Sequence, residues 1–523
     1  MIKKLIKYAT PISAFIFLVL FVLLFPLYKY VFDPDSIGYS AITERIVAGE
    51  YFKSINGLWS PLSSWLAVPL VKLGVDTIFA FKCINGLVGV LLLMSVSKLI
   101  SKFNISGSLK AVILYTCIPI FLSYCFYELC ADFLLLFFFT LYLIQVCSED
   151  FYENKKRQLF AAIIAVLAYF SKAYFFPFFL LHFSVVNLYH YKYSFLNRKI
   201  KTLIQNLILG IGCFLLLSSP WLYALTNKYH FFTYSTTGKY NAYMHLHPGT
   251  EYTKLLLSPP YADSYNSWED PFLPFMQQFS PLSSFTTFVA QIKLLLYNLL
   301  HSIPFFIEIS IFCLPIISGI IFLWFLKKAN ISKRNNIFIC CITALLLPMG
   351  YLLFHLETRF IWMLSILCLI MGVFLIIAAT KYFQFPQKRK TILIAILTIS
   401  FLIGPLSSLY TGANSGKSPY VIAEALKQNN IKGKVAANYT NLDQYTELLM
   451  SNVIAKNQFY GYSRIDFTSK ELLDALKEFD IDYYYFVYST EKEKEIFLSG
   501  DIYKNAIRVF SDIYPRLIVV KLK

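Results

Sequence analysis

Long apolar blocks constrain this chain more than any other feature of its sequence. Residues 15–27, 312–326 and 361–379 are three examples. A helix of about 20 such residues crosses the hydrocarbon core of a bilayer and satisfies its own backbone hydrogen bonds there. Only 15% of the 523 residues are charged, whereas soluble domains carry about 25%. The sequence therefore predicts an all-α polytopic membrane protein.

The apolar pattern predicts about eleven transmembrane helices. The fifth and sixth share one apolar block, which is interrupted by Ser171 and Lys172. The predicted ranges are 11–31, 78–98, 110–127, 131–147, 158–171, 173–190, 203–224, 304–326, 336–354, 360–380 and 391–410.

The distribution of basic residues predicts the topology. The formal net charge is +17, and the excess lies in short loops between apolar blocks. With this helix count, all the basic loops fall on one side, which is the cytoplasm. This placement excludes nucleic acid as the partner and favours membrane lipids. The basic groups lie within 3–7, 98–110, 155–157, 192–201, 327–334 and 381–390.

The same scheme divides the chain into two predicted parts. Residues 1–410 form a transmembrane module with outer loops at 32–77 and 225–302. Residues 411–523 form a small α/β extracytoplasmic domain, because their apolar residues follow strand and helix periods in turn. The expected strands and helices lie at 434–439, 483–488 and 517–522, and at 420–428 and 469–479.

Two carboxylates, Asp33 and Asp35, lie where the first helix leaves the membrane. Partial desolvation at such an interface raises the pKa of a carboxylate and suits it to general-base catalysis. The alternative is that one of them only caps the helix that follows. The sequence alone leaves both possibilities open.

Further ionisable residues fall at the outer ends of apolar helices, where charges are costly. A set of structural ion pairs is the alternative to a functional site, most clearly for Glu357 with Arg359. The residues are Glu128, Asp132, Lys172, Glu357 and Arg359. His245 and His247 in the second outer loop are a weak indication of a metal site, since no third ligand is evident.

Several ordered motifs resemble those of the GT-C superfamily of polyprenyl-phosphate-dependent glycosyltransferases. The branch that contains the protein O-mannosyltransferases and the lipid A aminoarabinose transferase is the most similar. The resemblance covers roughly residues 10–380. Ser36 and Ser60 depart from the Asp-Glu and Pro-Pro-Leu patterns of many members. The motifs are Asp35-Ser36-Ile37-Gly38-Tyr39, Gly49, Ser60-Pro61-Leu62-Ser63-Ser64-Trp65, Asp132, Ser171-Lys172, Pro220-Trp221 and Glu357-Thr358-Arg359-Phe360.

The resemblance implies an inverting glycosyltransferase that moves a hexosyl or pentosyl group from a polyprenyl-phosphate donor to a glycan, lipid or protein acceptor. Asp35 would be the general base, and Lys172 and Arg359 would bind the donor phosphate. Asp33, Glu128, Asp132 and Glu357 would support them.

The resemblance places this activity in the cell (inner) membrane and leaves a divalent metal requirement open. A transporter or flippase for a lipid-linked glycan is the alternative function, because intramembrane charges suit that class too.

The topology prediction is testable with a reporter enzyme that is active only after export, fused after Lys523. We expect activity, because the six basic loops put the C-terminal domain outside the cell. A reporter active only in the cytoplasm would contradict the helix count.

Overall fold

The computed structural model describes residues 6–129, 131–193, 199–246, 256–325, 334–438, 441–463 and 468–523. A bundle of apolar helices occupies most of the chain, and a small sheet with its own helices follows near the C-terminus. This architecture confirms the predicted fold class.

Among the described residues, eight helical segments are long and apolar enough to cross a membrane. They are Ala9–Tyr28, Thr77–Ile100, Gly107–Tyr127, Ile200–Tyr229, Phe285–Ile309, Asn336–Leu353, Met363–Tyr382 and Gln387–Gly412. Four further apolar helices pack among them. These are Asp132–Val146, Lys155–Ser171, Phe175–Tyr193 and Cys313–Phe325.

Two regions differ from the predicted pattern. The eighth predicted helix, 304–326, is two helices, Ile303–Ile309 and Cys313–Phe325. Ser310 separates them, and its hydroxyl accepts a hydrogen bond from the backbone N–H of Phe312 at 3.1 Å. The predicted outer loop 225–302 contains two helices, Thr237–Leu246 and Phe285–Leu300.

Two glycines set how closely the first helix packs. Phe17 and Phe21 lie directly against Gly89 and Gly86 of Thr77–Ile100, and a Cβ on Gly89 would approach the Phe17 ring to 2.1 Å. Small residues allow such close approach between membrane helices. The first helix therefore packs closely against its neighbour before the chain reaches Asp33.

The predicted first outer segment, 32–77, contains the helices Asp35–Val47, Tyr51–Ser54 and Leu62–Lys72. Ile37 of the helix Asp35–Val47 packs into the core of the C-terminal sheet domain. The first outer segment therefore contacts the C-terminal domain directly.

The C-terminal domain contains a five-stranded sheet with the order β2-β1-β3-β5-β4. β1 pairs in parallel with β2 and β3, and the β4–β5 hairpin adds antiparallel to β3. The strands are β1 Lys434–Asn438, β2 Gln458–Ser463, β3 Tyr483–Val487, β4 Arg508–Tyr514 and β5 Leu517–Lys521. The helices are Ser418–Gln428, Leu442–Ala455, Ser469–Glu478, Glu491–Ser499 and Asp501–Lys504.

The pattern predicted β1, β3 and β5 but did not predict β2 and β4. The cap of Ser469–Glu478 is Thr468, which forms a reciprocal capping box with Glu471.

The outer edge of β2 is covered by the second outer loop. The N–H of Phe459 donates to the carbonyl of Tyr265 at 2.7 Å, and the N–H of Leu257 donates to the carbonyl of Tyr460 at 2.8 Å. An uncovered edge strand would present unpaired backbone groups to other chains. The loop therefore joins the C-terminal domain to the membrane module.

Arg45 holds the same loop against the first outer segment. Its guanidinium pairs with Glu50 at 2.6 Å, Asp263 at 2.5 Å and Glu269 at 2.9 Å, and its side chain is only 11% exposed. Nearby, Lys228 pairs with Asp270 at 2.7 Å. In the sequence, Arg45 is 218 positions from Asp263 and 224 positions from Glu269.

Replacement of Arg45 by Leu should therefore destabilise the protein. The substitution leaves Glu269 buried without its partner, and breaking a buried pair in this way costs on the order of 3 kcal/mol. Arg157→Leu is the control, because Arg157 and Asp150 form a more exposed pair at 2.5 Å and such pairs contribute less than about 1 kcal/mol. Thermal unfolding in detergent should show a much larger loss of Tm for Arg45→Leu. Equal losses would contradict the proposed importance of Arg45.

Candidate active site

The site forms where the first membrane helix ends. Lys82 of the helix Thr77–Ile100 is 1% exposed, and its ammonium donates to the carbonyls of Tyr28 at 2.6 Å and Lys29 at 2.8 Å. A cation is favourable at a helix C-terminus, where carbonyls lack intrahelical partners. One turn later, Asn85 donates to the carbonyl of Glu128 at 2.9 Å. One helix thus fixes the chain on both sides of the site.

The two carboxylates at this exit have different partners. Asp33 accepts hydrogen bonds from the backbone N–H groups of Ser36 at 2.9 Å and Leu129 at 3.1 Å. Asp35 is the first residue of the next helix, and its carboxylate lies 2.9 Å from Nη1 of Arg359. The sequence left open whether each carboxylate acts as a base or caps the next helix. Asp33 fits the capping role, because it binds the backbone N–H of Ser36. Asp35 instead faces the charged cluster, which consists of Arg359, Lys172 and the carboxylates around them.

Burial changes the proton affinity of these carboxylates. It raises the pKa of Asp33 to about 6, with the neighbouring charge of Asp35 adding to the rise and Arg359 opposing it. Burial also raises the pKa of Asp35, and the positive charge of Arg359 opposes this rise. Burial alone would raise the pKa of Glu357, but His355 and Arg359 hold it at about 2. Asp35 is therefore a stronger base than an exposed aspartate, while Glu357 stays ionised.

Arg359 lies at the centre of the cluster. Its Nη1 is 2.9 Å from Asp35 and 2.8 Å from Glu128, and its Nε is 2.6 Å from Glu357. The side chain of Glu128 is 7% exposed. The predicted pairing of Glu357 with Arg359 is therefore present, but it is one of several contacts of this guanidinium.

Lys172 extends the cluster on the other side. It follows the end of the helix Lys155–Ser171 and forms an ion pair with Asp132. Its ammonium also lies 3.8 Å from the centre of the Phe360 ring, a favourable cation–π contact. Asp132 in turn lies 4.0 Å from Nε of Arg359. All seven residues that the sequence analysis selected for the site are thus brought together, at one end of the helix bundle.

A cavity of about 730 Å³ opens beside Arg359. Arg359, Glu128 and Glu357 line it, whereas Asp35 and Lys172 are not among its lining residues. The wall also contains aromatic rings and hydroxyl groups that the sequence analysis did not select, namely Tyr124, Tyr127, Phe305, Trp362, Ser123, Thr358, Ser407, Ser408 and Thr411.

Glu308 also lines this cavity and was not selected. Its carboxylate accepts a hydrogen bond from the hydroxyl of Thr358, next to Arg359. A lone acid within the apolar stretch 303–309 is the same signal that identified Glu128 and Asp132, so the sequence contained the information.

Of the two histidines in the second predicted outer loop, His247 lies outside the described residues. His245 stacks on His355, with ring centres 5.2 Å apart, and His355 lies 2.9 Å from Glu357. Within the described ranges, no group of three or more His, Cys, Asp or Glu side chains is arranged to hold a metal ion.

Comparisons with known proteins identify the fold. No protein-family model and no curated protein matches the sequence of this chain. Two solved structures match it along most of its length. The Archaeoglobus fulgidus oligosaccharyltransferase in the apo form does so with a TM-score of 0.57 and 11% identity, over 92% of this chain and 69% of that one. ArnT from Cupriavidus metallidurans, bound to undecaprenyl phosphate, gives 0.52 and 11%, over 99% and 97%.

A third structure is the archaeal oligosaccharyltransferase AglB from Archaeoglobus fulgidus, in complex with an inhibitory peptide and a dolichol-phosphate. It has a TM-score of 0.50 and 11% identity, over 92% of this chain and 70% of that one. These enzymes belong to the GT-C superfamily. This chain therefore has a GT-C-like fold, and the resemblance inferred from its motifs is confirmed at the level of the fold.

The contacts of Arg359 predict a pH-dependent loss of stability for Arg359→Met. Without this cation, the pKa of Asp35 rises further above that of the unfolded chain. The folded variant then binds protons more tightly than the unfolded chain, so its stability falls as pH rises through that range. The Tm deficit relative to wild type should be larger at pH 8 than at pH 5. Arg359→Lys, which keeps the charge, should show a smaller difference, and a deficit that does not change with pH would contradict this electrostatic role.

Proposed function

We propose that this chain is an inverting glycosyltransferase that moves a sugar from a polyprenyl-phosphate donor to an acceptor on the outer face of the membrane. The observation that carries the proposal is the contact between Asp35 and Arg359, which brings a candidate base and a candidate phosphate ligand within 2.9 Å. The GT-C-like fold supports it.

Asp35 is proposed to take the proton from the acceptor nucleophile as that atom attacks the anomeric carbon. The bond from the anomeric carbon to the phosphate oxygen breaks, and its electron pair leaves with the lipid phosphate. One base and one direct displacement invert the configuration at the anomeric carbon. The raised pKa of Asp35 favours this role, because a stronger base accepts the proton more readily.

Arg359 and Lys172 are proposed to hold the phosphate, where negative charge develops in the transition state. Both cations now pair with carboxylates, Arg359 with Glu128 and Lys172 with Asp132. A donor phosphate would replace these carboxylates as the partner of one or both cations. Asp33, Glu128, Asp132 and Glu357 would then orient the basic groups and hold them in place before the donor binds.

The donor class is inferred from the solved structures of similar fold. One contains undecaprenyl phosphate, and another contains a dolichol-phosphate and a peptide. A lipid-phosphate donor also suits a site at the end of a membrane helix bundle. We place the enzyme in the cell (inner) membrane with the site outside, in keeping with the basic loops. The acceptor remains a glycan, lipid or protein.

Asp35→Asn should abolish transfer while folding and membrane insertion remain intact. Asn has a similar shape but cannot accept the proton, and loss of a general base typically costs about 10²–10⁴-fold in rate. Asp33→Asn is the matched control and should cost less, because Asp33 contacts backbone N–H groups and not the cations. The measurement is transfer of a radiolabelled sugar from polyprenyl phosphate in membranes that contain equal amounts of each variant.

Loss of transfer in Asp35→Asn alone would support Asp35 as the base. Loss of transfer in Asp33→Asn alone would make Asp33 the base. Near-native transfer in both variants would favour the transporter or flippase instead.

A further inference from the structure

The helix Phe285–Leu300 exposes apolar side chains and buries amide side chains. A surface helix of a water-soluble protein has the opposite arrangement. The helix Phe285–Leu300 begins with a capping box between Ser284 and Thr287 and carries one charged residue, Lys293. Its apolar side chains recur three or four residues apart, so they share one face. That face is exposed, by 81% at Phe285, 42% at Phe288, 40% at Ile292, 53% at Leu296 and 52% at Leu299.

Two amide side chains of this helix, Gln291 and Asn298, point inward. The amide of Gln291 is buried and donates to the carbonyl of Leu353 at 2.5 Å. The amide of Asn298 donates to the carbonyls of Leu352 and Phe354, each at 3.0 Å. These bonds satisfy backbone groups at the point where the helix Asn336–Leu353 ends. The amide side chains of this helix are therefore packed against the protein, whereas its apolar face has no protein covering it among the described residues.

The contacts place this helix against the end of the segment Asn336–Leu353. Gln291 and Asn298 are seven residues apart, which is about 10 Å along a helix axis. Both bind carbonyls of residues 352–354. The same segment leads within a few residues to Glu357 and Arg359. The helix thus lies at the same end of the bundle as the charged cluster.

The exposed apolar face continues onto surfaces of the membrane bundle. The next helix, Ile303–Ile309, exposes Ile303 and Ile307 and packs so closely on Gln387–Gly412 that a Cβ on Gly404 would lie 2.6 Å from the carbonyl oxygen of Glu308. Gln387–Gly412 in turn exposes Ile403 and Leu406. Exposed apolar side chains are therefore present on a membrane helix, on the helix packed against it and on Phe285–Leu300.

We propose that Phe285–Leu300 is seated in the lipid leaflet on the side of the charged cluster, and that its polar face holds the segment 350–359 that carries Arg359. The partner of its apolar face is the acyl-chain region of the bilayer. Lys293, at the edge of this face, extends its ammonium to the lipid phosphates while its methylenes stay in the apolar layer. Because the inference rests on exposure and hydrogen bonds, it is independent of the proposed transferase activity.

The proposed position of Phe285–Leu300 in the lipid leaflet is tested with the full-length chain in phosphatidylcholine vesicles. These vesicles contain a lipid with a photoactivatable diazirine in its acyl chain. Mass mapping after illumination should find labels at Phe288, Ile292 and Leu296. Ile496 and Ile507 of the C-terminal domain are matched controls, because they are 62% and 67% exposed but belong to the sheet domain. Labelling of the helix should exceed theirs several-fold. Equal labelling of the helix and the control residues would overturn the proposed contact with lipid.

The positioning role is tested with the double substitution Gln291→Leu and Asn298→Leu. These changes remove the three hydrogen bonds to 352–354 and leave the lipid-facing residues intact. Amide hydrogen exchange of 350–359 should become several-fold faster in the variant, while the lipid label on Ile292 persists. Lys293→Gln, which changes a residue of the same helix without touching those bonds, should leave the exchange unchanged. Unchanged exchange in the double variant would overturn the positioning role.

Discussion

The site depends on one guanidinium that is shared among several carboxylates at the edge of the membrane. Arg359 contacts Asp35, Glu128 and Glu357 within 2.9 Å, and Asp132 lies farther away at 4.0 Å. Bringing several acids together in a partly desolvated place is unfavourable unless a cation offsets their repulsion. Arginine suits this task, because it keeps its charge and presents several donors in one plane. The elements that supply the acids can converge because this cation joins them.

A second cluster, around Arg45, has a different consequence. It joins the first outer segment to the second outer loop through Glu50, Asp263 and Glu269, and that loop covers the edge of β2. None of these acids belongs to the site around Arg359. The architecture thus separates a cluster that joins distant segments of the chain from the cluster around Arg359.

The sequence predicted the parts of the structure that follow from local pattern. Apolar blocks gave the membrane helices, and lone charges at their ends gave the site residues, because both signals arise from the cost of polar groups in lipid. The roles of Asp33 and Asp35 could not be separated in this way. That distinction depends on the N–H of Leu129, which is 96 residues from Asp33 in the sequence. The pattern does not predict the helix Phe285–Leu300, because this helix lies outside the regular alternation of spanning segments. β2 was missed because Gly461 interrupts a short strand of mostly buried residues.

The covered edge of β2 also affects the order in which the protein can be completed. The loop residues that pair with this strand leave the ribosome almost 200 residues before their partners. Until β2 is translated, the backbone groups of Leu257 have no strand to pair with, and Ile37 lacks the core into which it packs. The segments that contain Leu257 and Ile37 can therefore reach their final contacts only after the C-terminal sheet has formed.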